Sequence, residues 1–325
     1  MKAIITPHAG GPEVMQYLDV DEPVAGPGEV VVKVAAAGLN FIDTYRRAGV
    51  YKVAYPLVMG SEGAGTVVEA GPGVDVQVGD KVAWSEAPGS YAEYVKVAGE
   101  NLLPVPAGVD AETAAALPLQ GMTAHYLCRS TYEVGPGTTA LVHAGAGGVG
   151  GLLTQMIVRH GGRVITTAGT PEKAELSRGH GASQVIIYTE LDDVATQLAP
   201  LVRQWADGGV DVVYDGVGKA TFDASLASLR TRGMLVLFGG ASGQVPPFDL
   251  QRLNSGGSLF VTRPTLIHHT LTRDETLWRA REIFEWAAAG ELNVPIGAKF
   301  PLADAARAHQ ALEGRQTTGK VLLIP

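Results

Sequence analysis

Cysteine is nearly absent: Cys128 is the only one in the chain. A single thiol closes no intramolecular disulfide and builds no thiolate metal cluster. Long apolar runs are also missing. Nothing approaches the roughly 18 consecutive apolar residues of a membrane-spanning helix. At the N-terminus, M-K-A-I-I-T-P-H has too short an apolar part for a secretory signal. Basic clusters are lacking too. The net charge is -8 and no local Lys/Arg run offsets it. The chain therefore offers no electrostatic footprint for nucleic acid or an anionic membrane. Charged residues are only 18% and hydrophobic residues 46%, a balance that supplies a sizeable core and argues against disorder. The expectation is a cytoplasmic globular protein without nucleic-acid or membrane partners, and 325 residues are enough for about two domains.

What is present centres on Thr139 to Gly162. The apolar run Ala140, Leu141, Val142 leads into a turn of small residues. Leu152, Leu153, Met156 and Ile157 then recur at helical spacing until Gly161-Gly162. Gly145, Gly147 and Gly150 match G-x-G-x-x-G within the turn. The pattern is weak alone, but here it follows a strand, opens a helix and precedes another strand, Arg163 to Thr167. That context makes it a dinucleotide fingerprint. The glycines permit a tight turn, close approach of backbone to a pyrophosphate, and close helix–strand packing. The helix N-terminus adds unpaired N–H groups and partial positive charge.

Around this centre the chain changes character. Up to about residue 100, short strands alternate with Gly/Pro turns, as in a small β barrel or sandwich. Asn40 to Ala48 interrupts them with a short helical segment. Asp110 is a candidate N-cap for Ala111 to Leu117, Pro118 breaks that segment, and a second helix is expected over Met122 to Tyr132. Six strands then alternate with helices: Thr139 to His143, Arg163 to Thr167, Gln184 to Tyr188, Val210 to Asp215, Met234 to Phe238 and Leu259 to Thr262. This is the sequence form of a doubly wound parallel (Rossmann) sheet. After Pro264 the alternation stops. Two helices and a final strand, Lys320 to Pro325, are too few for a domain and should return to the first one. The expected organisation is residues 1–122, a coenzyme domain 123–266, and a returning tail 267–325.

The second strand of an NAD site ends in a carboxylate roughly 20 residues after the fingerprint, for the ribose hydroxyls. Here that place reads Thr166-Thr167-Ala168-Gly169, with no carboxylate. Thr170 can cap the next helix and Pro171 suits its first position. Lys173 then lies in the first turn, where a cation opposes the helix dipole by roughly 0.3–1 kcal/mol. A bound 2′-phosphate would reverse that penalty, so NADP(H) is the expected cofactor. The bland alternative is a solvated Lys173 partly neutralised by Glu172. His143 reads as a buried structural histidine of the first Rossmann strand.

The segment order resembles the medium-chain dehydrogenase/reductase superfamily, and within it the zinc-free NADPH-dependent quinone oxidoreductases related to zeta-crystallin. The resemblance covers essentially the whole chain. It is carried by G-L-N-F-I-D-T-Y-R-R-A-G-V-Y (Gly38 to Tyr51), G-S-E-G-A-G (Gly60 to Gly65), H-A-G-A-G-G-V-G (His143 to Gly150), V-V-Y-D-G-V-G (Val212 to Gly218) and V-T-R-P (Val261 to Pro264). It implies a discontinuous GroES-like β-barrel catalytic domain, a coenzyme domain, a cofactor in the cleft between them, and a homodimer built through the coenzyme-domain sheet. It also implies cofactor contacts at Asn40, Tyr45, Thr123, Tyr126, Gly147, Gly148, Val149, Gly150, Gly169, Thr170, Lys173, Tyr188, Gly216, Phe238, Gly239, Arg263 and Arg315. Relatives can carry serine where this chain has Gly216, which leaves only backbone contacts there. Gly239-Gly240-Ala241-Ser242 lacks the asparagine of some members.

Alcohol dehydrogenases of this superfamily hold zinc with Cys and His at the places where this chain has Asn40 and Ser61-Glu62. Neither offers a thiolate or imidazole, and no metal is expected. Without zinc a simple alcohol is a poor substrate, whereas a quinone or conjugated enone accepts hydride directly. Asn40 and Tyr45 are the candidate catalytic residues, orienting the nicotinamide or acceptor, with Asp43 steadying their loop. Three readings remain: quinone reduction, reduction of enal or enone double bonds, and a cofactor-bound RNA-binding or structural crystallin-like protein. The acidic balance weighs against the RNA-binding form of the last.

Overall fold

The computed structural model describes residues 1–325. The chain divides into two compact units, Met1–Met122 with Thr272–Pro325, and Thr123–Leu271. No helix is long and apolar enough to cross a membrane.

The first unit is built on the strand Glu29–Leu39, a nearly continuous apolar run buried along most of its length. A strand this buried can pair on both sides, and it does. Its first half pairs with Tyr94–Ala98, its last residues with Lys320–Ile324, and its length with Glu62–Ala70. Register shifts after Val31 and Val34 bend it, so the mixed sheet curls instead of lying flat. The order from edge to edge is Ile296–Pro301, Lys320–Ile324, Glu29–Leu39, Glu62–Ala70, Lys81–Trp84, Leu103–Pro104. Val32, Leu39, Val67, Trp84, Tyr91, Leu302 and Leu323 fill the interior. The C-terminal tail thus contributes two strands to the sheet that the N-terminal residues begin.

The second unit holds a six-stranded parallel sheet in the order Gln184–Ile187, Arg163–Ala168, Thr139–Val142, Val210–Asp215, Leu229–Leu237, Phe260–Thr262. This is the 3-2-1-4-5-6 order of a doubly wound dinucleotide fold, in which the order reverses between the first and fourth strands. The loops after Val142 and Asp215 flank that reversal. Leu141, Ile165, Val213 and Leu235 pack against Leu198, Val202 and Leu226 of the covering helices.

The tail carries a second strand, Ile296–Pro301, that was not expected, and two further elements differ from expectation. Pro118 begins a helix, Pro118–Tyr126, instead of only ending one, because its fixed φ and missing N–H suit a first helical turn. That helix passes into a wide turn at Leu127–Thr131. The fifth strand starts at Leu229, five residues before Met234. Its polar opening, Leu-Arg-Thr-Arg-Gly, bulges out between Val210 and Val212 of the neighbouring strand, with Arg232 at a φ of 62°. Side chains that face solvent from a bulge carry no strand alternation in their sequence.

Candidate functional site

In the second unit the fingerprint turn is shaped by what its glycines cannot carry. A Cβ on Gly145 would lie 2.7 Å from Thr166 Cβ, and one on Gly150 would strike the Ala144 carbonyl group. The Gly145 N–H donates to the Thr167 carbonyl oxygen at 3.0 Å, which pins the turn to the second strand. Gly147 is the N-cap of the helix Gly148–Arg159 and has no side chain with which to cap it. The first N–H groups of this twelve-residue helix, together with its dipole, are available to an anion. Gly147, Gly148 and Val149 are half-buried, so backbone can be reached there.

The second strand ends at Ala168, and Thr170 caps the next helix, its hydroxyl accepting from the Lys173 N–H at 3.3 Å. Lys173 is half-buried in that first turn. Glu172 beside it is exposed, and the Thr170 hydroxyl holds its carboxyl below the usual range. Gly169 lies against Tyr188: a Cβ there would be 2.7 Å from the phenol oxygen. Gly216 faces Phe238, and a Cβ on Gly239 would come within 2.8 Å of Gly216 Cα, so these two turns touch through backbone. Arg263 is exposed just past the edge strand Phe260–Thr262. Thr123 is 9% exposed and Tyr126 only 1%. The Tyr126 ring stacks on His269 at 4.3 Å and 5°, so a face expected to meet cofactor is covered by imidazole.

In the first unit, Asn40 ends the long strand and starts the helix Phe41–Arg47. Its amide nitrogen donates to Glu62 Oε2 at 2.7 Å and to the Gly38 carbonyl at 3.3 Å. Its oxygen accepts from Gln120 Nε2 at 3.2 Å and from Lys320 Nζ at 2.9 Å. An asparagine side chain has two donor and two acceptor positions, and all four are used. Glu62 also accepts the Leu119 N–H at 2.6 Å and forms an ion pair with Lys320. Both charges are essentially fully buried, which is tolerable only because each is paired and hydrogen-bonded. Gly38 makes room for the pair, since a Cβ there would sit 2.7 Å from Lys320 Cε.

Asp43 lies one helical turn on and is fully buried. It accepts from the Asn40 N–H at 2.9 Å, the Tyr91 hydroxyl at 3.0 Å and the Ser61 hydroxyl at 3.2 Å. Burial pushes its carboxyl up to about 6, opposed by the Asn40 hydrogen bond and the Arg46 charge. Tyr45 is half-buried, its ring edge-on to Tyr51 at 5.9 Å. Arg47 anchors the far side of the helix through Glu313 at 2.7 Å and His309 Nδ1 at 2.8 Å. Burial and the Arg47 charge drive His309 down to about 3, which keeps the ring neutral, and because a guanidinium only donates, Nδ1 is the accepting nitrogen. Arg315 is exposed, at a φ of 57°.

Asn40 and Tyr45 are thus not equivalent. The Asn40 side chain is saturated by protein groups and fixes the strand–helix junction, while Tyr45 presents ring surface. The residues that sequence reasoning missed are Glu62 and Lys320, which are 258 positions apart. The one signal available was a lone charge among the small residues of G-S-E-G-A-G and another at the head of the apolar run K-V-L-L-I.

A family model described as an alcohol dehydrogenase GroES-like domain matches residues 26–107, and one described as a zinc-binding dehydrogenase matches residues 180–323. The chain is 45% identical to a quinone oxidoreductase of Pseudomonas aeruginosa over 97% of each sequence. It is 40% identical to a 2-haloacrylate reductase of a Burkholderia species, over 97% of this chain and 96% of that one. A mycobacterial protein solved in complex with NADPH matches it over 100% of both chains, at 50% identity and a TM-score of 0.97.

Proposed function

Because the chain belongs to the quinone oxidoreductase family of the medium-chain dehydrogenase/reductase superfamily, we propose that it reduces a quinone by hydride transfer from NADPH, with no metal in the reaction. One observation carries the cofactor choice. The helix after the second strand has a cation, Lys173, in its first turn, and no carboxylate ends that strand. NADPH, when bound, supplies the hydride. The Gly147, Gly148 and Val149 N–H groups and Gly150 would hold its pyrophosphate, and Gly169, Thr170 and Lys173 its 2′-phosphate. Thr123, Tyr188, Gly216, Phe238, Gly239, Arg263 and Arg315 are the further contacts of this reading, and Tyr126, buried under His269, is not among them.

The donor set does not fit catalytic zinc, despite the description of the matching family model. Asn40 and Glu62 are occupied by the Lys320 ammonium, and the Ser61 hydroxyl is spent on Asp43. The structure assembles no group of three or more metal-ligating side chains. A quinone needs no Lewis acid, because its ring is already electron-poor. What the protein must supply is position and exclusion of competing chemistry. Asn40 holds the junction between the long strand and the helix Phe41–Arg47, and Tyr45 with Tyr51 offers an aromatic surface to a flat acceptor. Solvent protonates the reduced product.

The 2-haloacrylate reductase among the relatives supports a second reading, hydride addition to a conjugated carbon–carbon double bond. Steady-state NADPH oxidation with a benzoquinone and with an alkenal separates the two. Faster quinone turnover is expected, and near-zero quinone turnover beside fast alkenal turnover would reverse the assignment. We further propose a cytoplasmic homodimer. The strand Phe260–Thr262 pairs on one side only, and its Phe260 is 55% exposed. An edge of that kind invites a partner.

A further inference from the structure

The turn after Val142 and the turn after Asp215 are joined by an unbroken run of hydrogen bonds, buried at its centre, and each bond has a defined direction. Asp215 is fully buried and accepts from the Val217 N–H at 2.8 Å, the Gly218 N–H at 2.9 Å, the Thr221 hydroxyl, and the Ser225 hydroxyl at 2.7 Å. A carboxylate donates nothing, so the single Ser225 proton points at Asp215. Ser225 Oγ must then accept from His143 Nε2, 2.9 Å away, which places the imidazole proton on Nε2. Burial keeps the ring from taking a second proton, against the pull of Asp215. Nδ1 is therefore bare and accepts from the Thr167 hydroxyl at 3.1 Å. Thr167 Oγ1 in turn accepts the Ala144 N–H at 3.1 Å. Ala144 is the residue at which the fingerprint turn takes a left-handed conformation, with a φ of 55°.

We propose that His143 is a positioning residue for cofactor binding. As a neutral Nε2–H imidazole it holds the fingerprint turn, through Thr167 and Ala144, in fixed register with the Gly216–Gly218 turn, through Ser225 and Asp215. Both turns are then set before the cofactor arrives, and binding does not have to order them. An apolar ring at this position would leave the Ser225 oxygen without its donor and the Thr167 hydroxyl without its acceptor, with all three side chains buried. The inference rests on the reading of these turns as an NADPH site.

The test measures Kd for NADPH and for 2′-AMP, which carries the phosphate assigned to Thr170 and Lys173 but no pyrophosphate. Wild type, His143→Phe, His143→Gln and Thr167→Val are compared by calorimetry. His143→Phe should weaken NADPH about tenfold to thirtyfold, the loss expected of two neutral hydrogen bonds. It should leave 2′-AMP unchanged. His143→Gln can place its amide N–H near Nε2 and should recover part of the affinity. Thr167→Val breaks the run at one bond without touching the histidine and should weaken NADPH in the same direction, which keeps the test sound should His143→Phe fold poorly. Unchanged NADPH affinity in both His143→Phe and Thr167→Val overturns the inference, and so does equal loss of both ligands. A wild type that binds no NADPH instead removes the cofactor reading itself.

Discussion

Lys173 sits where the helix Pro171–Gly179 least favours a cation, because the first turn carries the positive end of the dipole. A 2′-phosphate turns that cost into a charge-assisted contact worth about 1.5–3 kcal/mol. Lys173→Ala should therefore raise the Kd for NADPH roughly tenfold to a hundredfold, at about 1.4 kcal/mol per factor of ten. NADH, which has no phosphate there, should be nearly unaffected. Paired titrations of the two nucleotides check this, and an equal loss for both would remove the basis for the choice of cofactor. The same scale separates Asn40 from Tyr45. Both were legible in G-L-N-F-I-D-T-Y as chemistry-bearing residues of one loop. That Asn40 spends every hydrogen-bonding position on Gly38, Glu62, Gln120 and Lys320 was not, because three of those four are distant in the chain.

The strand–turn–helix from Thr139 to Arg159 is the element on which the second unit's chemistry depends. Its glycines do different work. Gly147 faces outward at the helix start, and its nearest neighbour to an added Cβ would be the Ala144 oxygen at 3.1 Å. Gly150 faces backbone: a Cβ there meets the Ala144 carbonyl group and lies 3.2 Å from the His143 oxygen. Backbone cannot swing aside as a side chain can. Gly150→Ala should thus lower stability by about 1–3 kcal/mol, the usual range for overpacking. A fall in Tm of several degrees is expected, measured by calorimetry without cofactor, and an unchanged Tm would show that the turn relaxes freely. The position of this element was legible from periodicity and glycine spacing, since both are local. The bulged opening of the strand Leu229–Leu237 was not, because its polar residues read as a loop.

Across the whole chain, the first unit is completed only by residues from the far end. Lys320 enters the sheet beside Glu29–Leu39, and its ammonium reaches Glu62 and Asn40. The second unit's sheet has two open edges, Gln184–Ile187 and Phe260–Thr262, and at the latter Phe260 and Val261 are exposed. Pairing of that edge with its copy is the route to the proposed homodimer. Light scattering coupled to size-exclusion chromatography should give twice the 33.9 kDa chain mass. Val261→Lys on the edge should shift the population toward one copy, since a charge at an edge opposes strand pairing. A monomeric wild type would end the dimer proposal.

Local rules determined much of this protein before any fold was known. Glycine spacing set the fingerprint, apolar periodicity set the parallel sheet, and the missing carboxylate beside Lys173 pointed to a phosphorylated nucleotide. These are contacts within one turn or one element, and their chemistry is written in neighbouring residues. Only the tertiary structure decided that Glu62 and Lys320 neutralise each other around Asn40, that Tyr126 is covered by His269, and that His143 links two turns through Thr167, Ser225 and Asp215. Each of these is a buried polar group whose partner lies tens to hundreds of residues away. Burial demands that such a partner exist, but sequence spacing does not say which residue it is.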